Sequence, residues 1–466
     1  MKKQAFNPYL PSWEYIPDGE PYVFGDRVYV YGSHDNYNGY VYCMNDYVCW
    51  SAPVDDLSDW RYEGVIYPKT SDPLNKDGSM CLYAPDVTVG PDGRYYLYYV
   101  LDHVSVVSVA VCDTPAGKYE FYGYVHYEDG TLLGEKDGDE PQFDPGLLTE
   151  GDKTYLYTGF CGHGDKSRHG AMVTVLDKDM LTILEAPKFI VPGAIYAGGT
   201  QFEGHAFFEA PSMRKIGDKY YFIYSSQVMH ELCYATSDSP LGDFTYGGVI
   251  VSNCDMHIDS YKDANMKTGL AGNNHGSVEK IGDDYYIFYH RHTNGTEFSR
   301  QGCAEKLTVN EDGSIPQVEM TSCGLNGKPL SSKGEYPAYL ACNIFVKGRE
   351  IRNGEADAPK IIQDGVDGDE NLGYIANIYN GATFGFKYFD IENVSKISLT
   401  SRAYLSGKFE IRTSIDGEVL AEIPVRHSNV WVRATAPISI PNGKTALYIT
   451  FNGFGRAGQL KSFELE

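Results

Sequence analysis

Alternation of aromatic with small or polar positions recurs five times along the first two thirds of the chain. Each occurrence follows a turn built from Gly and Asp, and its side chains then alternate at every second position. Period-two alternation at a Gly/Asp turn predicts a β-hairpin that leads into a strand. The five segments are GDRVYVYGS from Gly25, DGRYYLYYV from Asp92, GDKTYLYTG from Gly151, GDKYYFIYSS from Gly217 and GDDYYIFYHR from Gly282.

The even spacing of these segments indicates a structural repeat. Their equivalent tyrosines lie 67, 59, 66 and 65 residues apart, at Tyr29, Tyr96, Tyr155, Tyr221 and Tyr286. Most units contain a second hairpin signal, so we expect about four strands in each. Solenoid repeats are shorter, and a stand-alone sandwich needs more strands than one unit supplies. The sequence therefore predicts an all-β protein with a five-bladed β-propeller, in which only short strand edges are exposed.

The repeat ends near residue 325. A stretch rich in Gly, Asn, Pro, Ser and Lys follows, and such a composition is typical of a linker. Further on, alternating segments such as FEIRTSI and TALYITFNG predict a second, smaller β unit. The expected organisation is a propeller over residues 1–325, a linker over 326–343 and a β-sandwich over 344–466.

Composition and charge narrow the classes of partner. The 466 residues include 39 Tyr and 50 Gly, which favour strands and turns over long helices. The formal net charge of −24 repels polyanions, so we expect neither nucleic acid nor a membrane surface as a partner. Lys2 and Lys3 are followed by polar residues where a signal peptide needs an apolar core, which predicts a cytoplasmic location. The 10 Cys are irregularly spaced, which is typical of buried free thiols.

A titratable residue precedes the first strand of every unit at a nearly constant offset. It lies 11, 10, 11, 12 and 11 residues before the reference tyrosine, at Asp18, Asp86, Asp144, Glu209 and His275 respectively. The first strand of a propeller blade is innermost, so equal offsets predict that these side chains surround the mouth of the central channel. A single acid there is usually a turn cap. Five at one level indicate a functional site, because clustered carboxylates raise one another's pKa without structural benefit.

Carboxyl groups in this arrangement suit the hydrolysis of a glycosidic bond. That reaction needs one protonated carboxyl group to protonate the leaving oxygen and one ionised group to activate water or attack the sugar. A third acid nearby can keep the first one protonated. Trp13, just upstream of Asp18, and Phe208, next to Glu209, offer apolar faces against which a sugar can stack, although core packing is the commoner role of each aromatic residue.

The motifs around these residues resemble those of glycoside hydrolase family 43 in all five units. Members of that family are five-bladed propellers that cleave arabinose- and xylose-containing polysaccharides with inversion at the anomeric carbon. The resemblance implies that Asp18 is the general base, that Glu209 is the general acid, and that Asp144 orients Glu209 and raises its pKa. The matching motifs are Asn7-Pro8, Ile16-Pro17-Asp18, Tyr83-Ala84-Pro85-Asp86, Phe143-Asp144-Pro145, Glu209-Ala210-Pro211 and Asn274-His275-Gly276-Ser277.

The same resemblance implies sugar contacts and a metal. Arg300 looks like the family arginine that reaches the terminal sugar, with Arg291 as a weaker candidate. Asp86 is implied to be structural or to contact sugar. His275 corresponds to a histidine on the channel axis that in some members binds calcium, with water as the remaining ligands; calcium prefers six to eight oxygens. No organic cofactor is implied. The expected substrate-binding set is Trp13, Asp86, Phe208, Arg291 and Arg300.

The expected function is an exo-acting, inverting glycoside hydrolase that releases terminal α-L-arabinofuranosyl residues from arabinoxylan or its oligosaccharides. β-D-Xylosidase activity on xylo-oligosaccharides, alone or combined with the first activity, is the close alternative. A further alternative is a non-catalytic propeller whose acids only hold sugar hydroxyls. The sequence leaves arabinofuranose and xylopyranose open, because loops from several blades shape the pocket.

The C-terminal unit resembles carbohydrate-binding module family 6, notably in Asn371-Leu372-Gly373-Tyr374-Ile375 and Phe451-Asn452-Gly453. Such modules usually hold sugar between two aromatics beside a late asparagine. Here Trp431 is the unit's one tryptophan, and Gln459-Leu460-Lys461 replaces the asparagine-bearing segment. We therefore favour a structural sandwich over an active sugar binder. An acidic turn with Asp364, Asp367 and Asp369 is expected to be solvated in preference to binding calcium.

Overall fold

The computed structural model describes residues 4–404, 406–425 and 427–466. Met1, Lys2 and Lys3, which carry part of the expectation about a signal peptide, lie outside the described residues. Within the described residues the secondary structure is almost entirely β, and the helical segments are short 3-10 turns at Lys69–Ser71, Gly324–Asn326 and Ala338–Leu340. In these parts of the chain no helix has the length and apolar character needed to cross a bilayer.

Five antiparallel sheets follow one another along the first 307 residues, which confirms the all-β propeller. In each sheet the strands pair in sequence order. The strands of the first two sheets are β1 (Glu20–Phe24), β2 (Arg27–Tyr31), β3 (Tyr47–Pro53), β4 (Arg61–Tyr67), β5 (Asp86–Val89), β6 (Tyr95–Tyr99), β7 (Ser108–Cys112) and β8 (Glu120–Tyr124). The next two sheets contain β9 (Gly146–Glu150), β10 (Lys153–Thr158), β11 (Gly170–Leu176), β12 (Ile183–Pro192), β13 (Phe207–Ile216), β14 (Lys219–Ser226), β15 (Glu231–Ser237) and β16 (Thr245–Ser252).

The fifth sheet has three strands among the described residues, where the repeat predicts four. They are β17 (Val278–Ile281), β18 (Asp284–Arg291) and β19 (Gln301–Leu307). The N-terminal segment occupies the outer side of β19. The Asn7 side chain bonds the backbone oxygen and N–H of Ala304, each at 2.9 Å, and Tyr9 N–H donates to the carbonyl of Gly302 at 3.2 Å. These hydrogen bonds satisfy backbone groups on the open edge of β19, to which a fourth strand would otherwise bond.

Gly-Asp turns join the first and second strands of four blades, as the repeat predicts. Gly25, Gly151, Gly217 and Gly282 have φ between 61° and 64°, and each begins a two-residue turn. A positive φ at the first turn residue is what a tight type II′ hairpin requires, and glycine adopts it without a steric penalty. The ring then closes where Gly19, before β1, forms a parallel bridge with Gly276, before β17.

The C-terminal region forms two six-stranded sheets that face each other across an apolar core. One sheet has the order β20-β25-β30-β27-β28 with β22 beside β25, and the other has β23-β24-β31-β26-β29 with β21 beside β31. The interval 326–343, expected as a linker, contains β20 and β21, whose backbone groups pair with the sandwich. The strands are β20 (Leu330–Ser331), β21 (Gly334–Pro337), β22 (Asn343–Val346), β23 (Lys360–Ile362), β24 (Tyr374–Ile378), β25 (Ala382–Ile391), β26 (Lys396–Ala403), β27 (Ser406–Arg412), β28 (Ala421–Pro424), β29 (Ser428–Pro437), β30 (Gly443–Phe454) and β31 (Gly458–Leu465).

A buried ion cluster fastens the sandwich to the propeller. Lys387 of β25 is fully buried, and its Nζ lies 3.1 Å from Asp255 Oδ2 and 3.4 Å from Glu319 Oε2. The ammonium also lies 3.5 Å from the ring centroid of Tyr261. Because Asp255 is buried as well, this charge pair depends on mutual neutralisation in a region from which water is excluded.

We predict that Lys387→Ala destabilises the protein strongly. The substitution leaves the buried carboxylate of Asp255 without its cation, and such losses cost about 3–5 kcal/mol. Urea-induced unfolding of the full chain measures the effect. The control is Lys219→Ala, which removes a solvent-exposed pair with Asp238 and should cost less than about 1 kcal/mol. Equal small losses in the two variants would contradict the proposed importance of the cluster.

Candidate active site

Residues before or at the start of the innermost strands, together with loop residues, meet around one cavity of about 390 Å³. Every blade contributes to its wall. Of the residues expected at the site, the cavity brings together Asp18, Asp144, Glu209, Phe208, Arg300 and His275. The full lining is Asp18, Tyr42, Cys43, Tyr83, Ala84, Phe143, Asp144, Phe160, Phe208, Glu209, Met229, Asn273, His275 and Arg300.

The backbone at two of these positions, and at the residue after a third, adopts the left-handed region that few residues other than glycine occupy. φ is +56° at Asp18, +44° at Asp144 and +63° at Ala210, which follows Glu209. The pairing of β13 with β14 is irregular on both sides of Glu209. Strained backbone of this kind persists where the surrounding structure holds it, and it is concentrated at functional sites.

Asp18 is held as a carboxylate by positive and polar neighbours. Arg300 Nη1 donates to Asp18 Oδ1 at 3.0 Å, and His290 Nδ1 lies 3.2 Å from the same oxygen. Only 4% of Asp18 is exposed. Burial alone raises the pKa of this carboxyl group, but Arg300 and His290 outweigh burial and hold the pKa well below its ordinary value. Asp18 is therefore ionised at neutral pH.

Arg300 is itself fixed by a second carboxylate, Asp35. Arg300 Nε and Nη2 donate to the two oxygens of Asp35 at 2.8 and 3.0 Å, and the backbone N–H of Arg300 donates to Asp35 Oδ2 at 3.0 Å. Arg300, Asp35 and Asp18 are all nearly inaccessible to solvent. A two-point guanidinium–carboxylate pair restricts orientation as well as distance. Nη1 is consequently left directed at Asp18.

Glu209 has the opposite protonation preference. Burial, followed by the negative charge of Asp18, raises its pKa to about 8, against an ordinary value of 4.5. The pKa of Asp144 is also raised, first by burial and then by Glu209 and Asp18. Asp144 Oδ2 accepts the backbone N–H of Ala210 at 3.2 Å, so it holds the residue that follows Glu209. The cavity thus combines a carboxylate with a carboxylic acid at neutral pH.

His275 lies between two buried acids. Its Nδ1 is 3.7 Å from Asp144 Oδ2, and its Nε2 is 3.8 Å from Glu20 Oε1. Burial lowers the pKa of His275 to about 4, so the imidazole is neutral near pH 7. Glu20 Oε2 accepts hydrogen bonds from Arg214 and Ser212, whereas Oε1 is buried without a partner among the described residues. One neutral nitrogen and one unsatisfied carboxylate oxygen fit a calcium ion whose other ligands are water.

Aromatic rings form one side of the cavity. Phe208 contacts Phe160, Phe160 contacts Phe143, and Phe143 contacts Tyr83, with centroids 5.2 to 5.3 Å apart. These rings provide the apolar surface that was expected for stacking a sugar. Trp13 does not line the cavity; it is half-buried outside it.

Besides Trp13, two further residues of the expected substrate-binding set lie away from the cavity. Asp86 is fully buried and accepts hydrogen bonds from the hydroxyl of Tyr22 and the backbone N–H of Leu147, both at 2.7 Å, so it joins three blades. Arg291 donates to the carbonyls of Ala341 and Cys342 at 3.2 and 3.0 Å. Both side chains are occupied by contacts within the protein, which for Asp86 agrees with the structural alternative expected from the sequence.

Sequence reasoning missed several residues of the site. Asp35 and Tyr42 lie between β2 and β3, outside the repeated segments, and nothing in the periodicity marks them. For His290, which contacts Asn273, the sequence does carry a signal. His290 ends the aromatic alternation of the fifth segment with a polar residue, and its Nε2 donates to the Asn273 carbonyl at 2.8 Å.

In the fourth blade, the possible ligand atoms of His205, Glu231 and Cys233 lie close enough together to hold a metal ion. Hydrogen bonds account for much of this geometry. Glu231 Oε1 accepts from His205 Nδ1 at 2.6 Å, from Ser226 Oγ at 2.6 Å and from Cys233 Sγ at 3.4 Å. The ten cysteines are all free thiols, as the sequence predicted.

Comparison with known proteins gives a consistent picture. Residues 15–315 match the family model described as Glycosyl hydrolases family 43. A protein of Thermoclostridium stercorarium named xylosidase/arabinosidase is 66% identical over 471 residues, which span 100% of this chain and 99% of that protein. Another xylosidase/arabinosidase, from Bacteroides ovatus, is 29% identical over 67% of this chain and 97% of its own length.

Solved structures agree with the fold. A family 43 arabinoxylan arabinofuranohydrolase from Bacillus subtilis, in complex with cellotetraose, covers 98% of this chain and 97% of its own, with a TM-score of 0.54 and 21% identity. A family 43 β-xylosidase/α-arabinofuranosidase from a compost microbial metagenome, in complex with xylotriose and in a calcium-free form, covers 66% of this chain and 97% of its own. Its TM-score is 0.52 and its identity 27%. The first likeness spans both the propeller and the sandwich.

We predict that Glu209→Gln makes the protein more resistant to unfolding at pH 8 but not at pH 5. Because the folded state favours protonated Glu209, it binds more protons than the unfolded state between pH 4.5 and about 8, and stability falls as the pH rises through that window. Glutamine stays neutral, so the variant does not lose this stability. The loss in free energy of unfolding is about 1–2 kcal/mol, because solvent near the cavity screens the charge of Glu209. Thermal unfolding of the two proteins across this range measures the difference.

The control for this measurement is Glu120→Gln, which changes an exposed glutamate on β8. It should shift the unfolding midpoint equally at both pH values. A Glu209→Gln variant that behaves like the control would show that the carboxyl group ionises normally.

Proposed function

The chain belongs to glycosyl hydrolases family 43, and on that premise we propose that it releases terminal α-L-arabinofuranosyl and β-D-xylosyl units from arabinoxylan-derived oligosaccharides. The enzyme is a glycoside hydrolase. We assign Asp18 as the general base and Glu209 as the general acid of a single-displacement reaction. Inversion at the anomeric carbon and action at chain ends are parts of this proposal.

The observation that carries the assignment is the difference in protonation between two carboxyl groups of one cavity. Arg300 and His290 keep Asp18 ionised, whereas burial and the charge of Asp18 keep Glu209 protonated up to a pKa of about 8. Glycoside hydrolysis needs both states at the same time. The pKa values of the two groups differ because their surroundings differ. Both groups are carboxyl groups and are chemically alike in themselves.

The reaction follows from these roles. Asp18 takes a proton from a water molecule while the water oxygen bonds to the anomeric carbon. The bond between that carbon and the leaving oxygen breaks, and Glu209 transfers its proton to the leaving oxygen. Both contacts of Asp18 with Arg300 and His290 use Oδ1, so Oδ2 is the oxygen assigned to water. Asp144 is assigned the role of orienting Glu209 through the N–H of Ala210.

Two observations support activity on both sugars at the ends of chains. The Thermoclostridium stercorarium protein, which aligns over the whole chain, is named for both activities. The cavity of about 390 Å³ lies in the range of small-molecule sites and suits the end of a glycan better than a long internal segment. The wall of Tyr83, Phe143, Phe160 and Phe208 provides stacking surface for either pentose.

Calcium at the propeller axis is the proposed inorganic component. His275 Nε2 and Glu20 Oε1 would hold it, together with water. When bound, the ion would supply positive charge among the buried acids below the cavity. Arg214, which donates to the other oxygen of Glu20 at 2.8 Å, already supplies part of that charge from the protein.

We predict that the purified chain hydrolyses 4-nitrophenyl α-L-arabinofuranoside and 4-nitrophenyl β-D-xylopyranoside, and that Asp18→Ala lowers kcat on both by about 10²–10⁴-fold. Glu209→Ala should lower kcat on xylobiose by a similar factor and on the nitrophenyl sugars by less, because nitrophenolate needs little protonation to leave. Release of nitrophenol and of xylose measures the rates.

Glu120→Ala is the control variant and should retain full activity, since Glu120 is exposed on an outer strand. Proton NMR of the β-xyloside reaction should show α-xylose as the first product, as inversion requires. Folded protein that releases neither aglycone would exclude both proposed substrates. β-Xylose as the first product would exclude the single-displacement assignment.

A further inference from the structure

The acidic turn of the sandwich, expected to be solvated, reaches the propeller. Asp367 Oδ1 accepts the backbone N–H of Tyr37 at 2.6 Å. Asp367 Oδ2 accepts the side-chain amides of Asn36 and Asn45 at 3.0 and 3.1 Å. The carboxylate of Asp367 thus accepts three hydrogen bonds from residues 32–46, which form the loop between β2 and β3. Bonds to a charged acceptor are about twice as strong as those between neutral groups.

A neighbouring contact fixes the same loop from the same side. The hydroxyl of Tyr37 donates to the carbonyl of Gln363 and accepts its backbone N–H, both at 3.0 Å. The Tyr37 ring stacks on Tyr15 with centroids 5.6 Å apart. Tyr37 and Gln363 are buried, so the sandwich residues at this point are part of a closed interface.

The loop held in this way supports the Asp18–Arg300 pair. Asp35 precedes Asn36 directly and accepts three hydrogen bonds from Arg300. Asn45, which bonds Asp367, also donates to the carbonyl of Asp35 at 3.1 Å. Arg300 in turn donates to Asp18 at 3.0 Å. A continuous series of hydrogen bonds therefore joins Asp367 to the assigned base.

The same loop forms part of the cavity wall. Tyr42 and Cys43 line the cavity, and the N–H of Cys43 donates to Asp35 Oδ1 at 3.0 Å. The guanidinium of Arg300 lies 4.9 Å from the ring centroid of Tyr42. Displacement of the loop would therefore move the cavity wall, Arg300 and Asp18 together.

From these contacts we propose that Asp367 is a positioning residue for the hydrolytic reaction, so that the C-terminal sandwich completes the active site by fixing the loop between β2 and β3. This inference rests on the proposed function, because it takes Asp18 as the base and Arg300 as its partner. Asp367 acts through the loop and does not line the cavity. The sandwich then serves catalysis through this contact.

The test compares Asp367→Ala, Asp367→Asn and the control Asp364→Ala in the full chain, with 4-nitrophenyl β-D-xylopyranoside as substrate. Asp364 belongs to the same acidic turn, but its carboxylate bonds the hydroxyl of Tyr374 within the sandwich at 2.7 Å. We expect Asp367→Ala to lower kcat/KM by about 10- to 100-fold, with lower kcat and higher KM, because small displacements of reacting groups have effects of this size. Asp367→Asn keeps one acceptor and should recover part of the loss. Asp364→Ala should remain within about twofold of the parent.

A second variant tests the contact from the propeller side. Asn36→Ala removes a donor to Asp367 and should lower kcat/KM by severalfold. If both residues act through the same contact, the double variant loses no more than Asp367→Ala alone. Should Asp367→Ala fail to fold, Asn36→Ala carries the same prediction.

The outcomes separate this inference from the proposed function. Loss of kcat/KM in the Asp367 variant at 25 °C, in protein that is folded by circular dichroism, supports the positioning role. An active parent whose Asp367→Ala and Asn36→Ala variants both match Asp364→Ala overturns it. A parent that hydrolyses none of the proposed substrates overturns the proposed function, and the inference with it.

Discussion

The guanidinium of Arg300, held between Asp35 and Asp18, is the interaction on which the proposed chemistry depends. Asp35 occupies two of its nitrogens and leaves the third for Asp18, so the cation is fixed in position and direction. In a buried setting this charge keeps Asp18 ionised against the penalty of burial. Ionised Asp18 then helps to keep Glu209 protonated. The fixed cation thereby keeps Asp18 ionised, and the charge of Asp18 adds to burial in keeping Glu209 protonated.

The architecture determines how these groups can meet. Each blade is a local antiparallel sheet, and closure of the ring brings together the turns before the innermost strands, although they are separated by about 60 residues along the chain. The sandwich adds contacts that the ring does not provide. Lys387 fastens it through a buried ion pair, and Asp367 holds the loop that carries Asp35 and Tyr42. The proposed active site is therefore a product of both units.

Repetition explains which features the sequence predicts. Asp18, Asp144, Glu209 and His275 have nearly the same offset within the repeat, so their convergence on a cavity follows from the fold alone. Asp86 shares the offset but is directed into hydrogen bonds between blades, which spacing does not reveal. Trp13 and Arg291 are adjacent to site residues in sequence but not in the cavity wall. Asp35, Tyr42 and Asp367 belong to loops whose positions depend on contacts between distant segments, and a single sequence carries no periodic signal for them.

The pH dependence of kcat/KM is the sharpest test of the opposite protonation states of Asp18 and Glu209, since it reports the ionisation of essential groups in the free enzyme. With xylobiose, whose leaving sugar oxygen must be protonated, we predict a level profile from about pH 5 upward and a single fall through a pKa of about 8, where Glu209 loses its proton. The level region reflects the lowered pKa of Asp18. Activity that already declines steadily above pH 5, as an acid with an ordinary carboxyl pKa requires, would contradict the claim that one cavity keeps Asp18 ionised and Glu209 protonated.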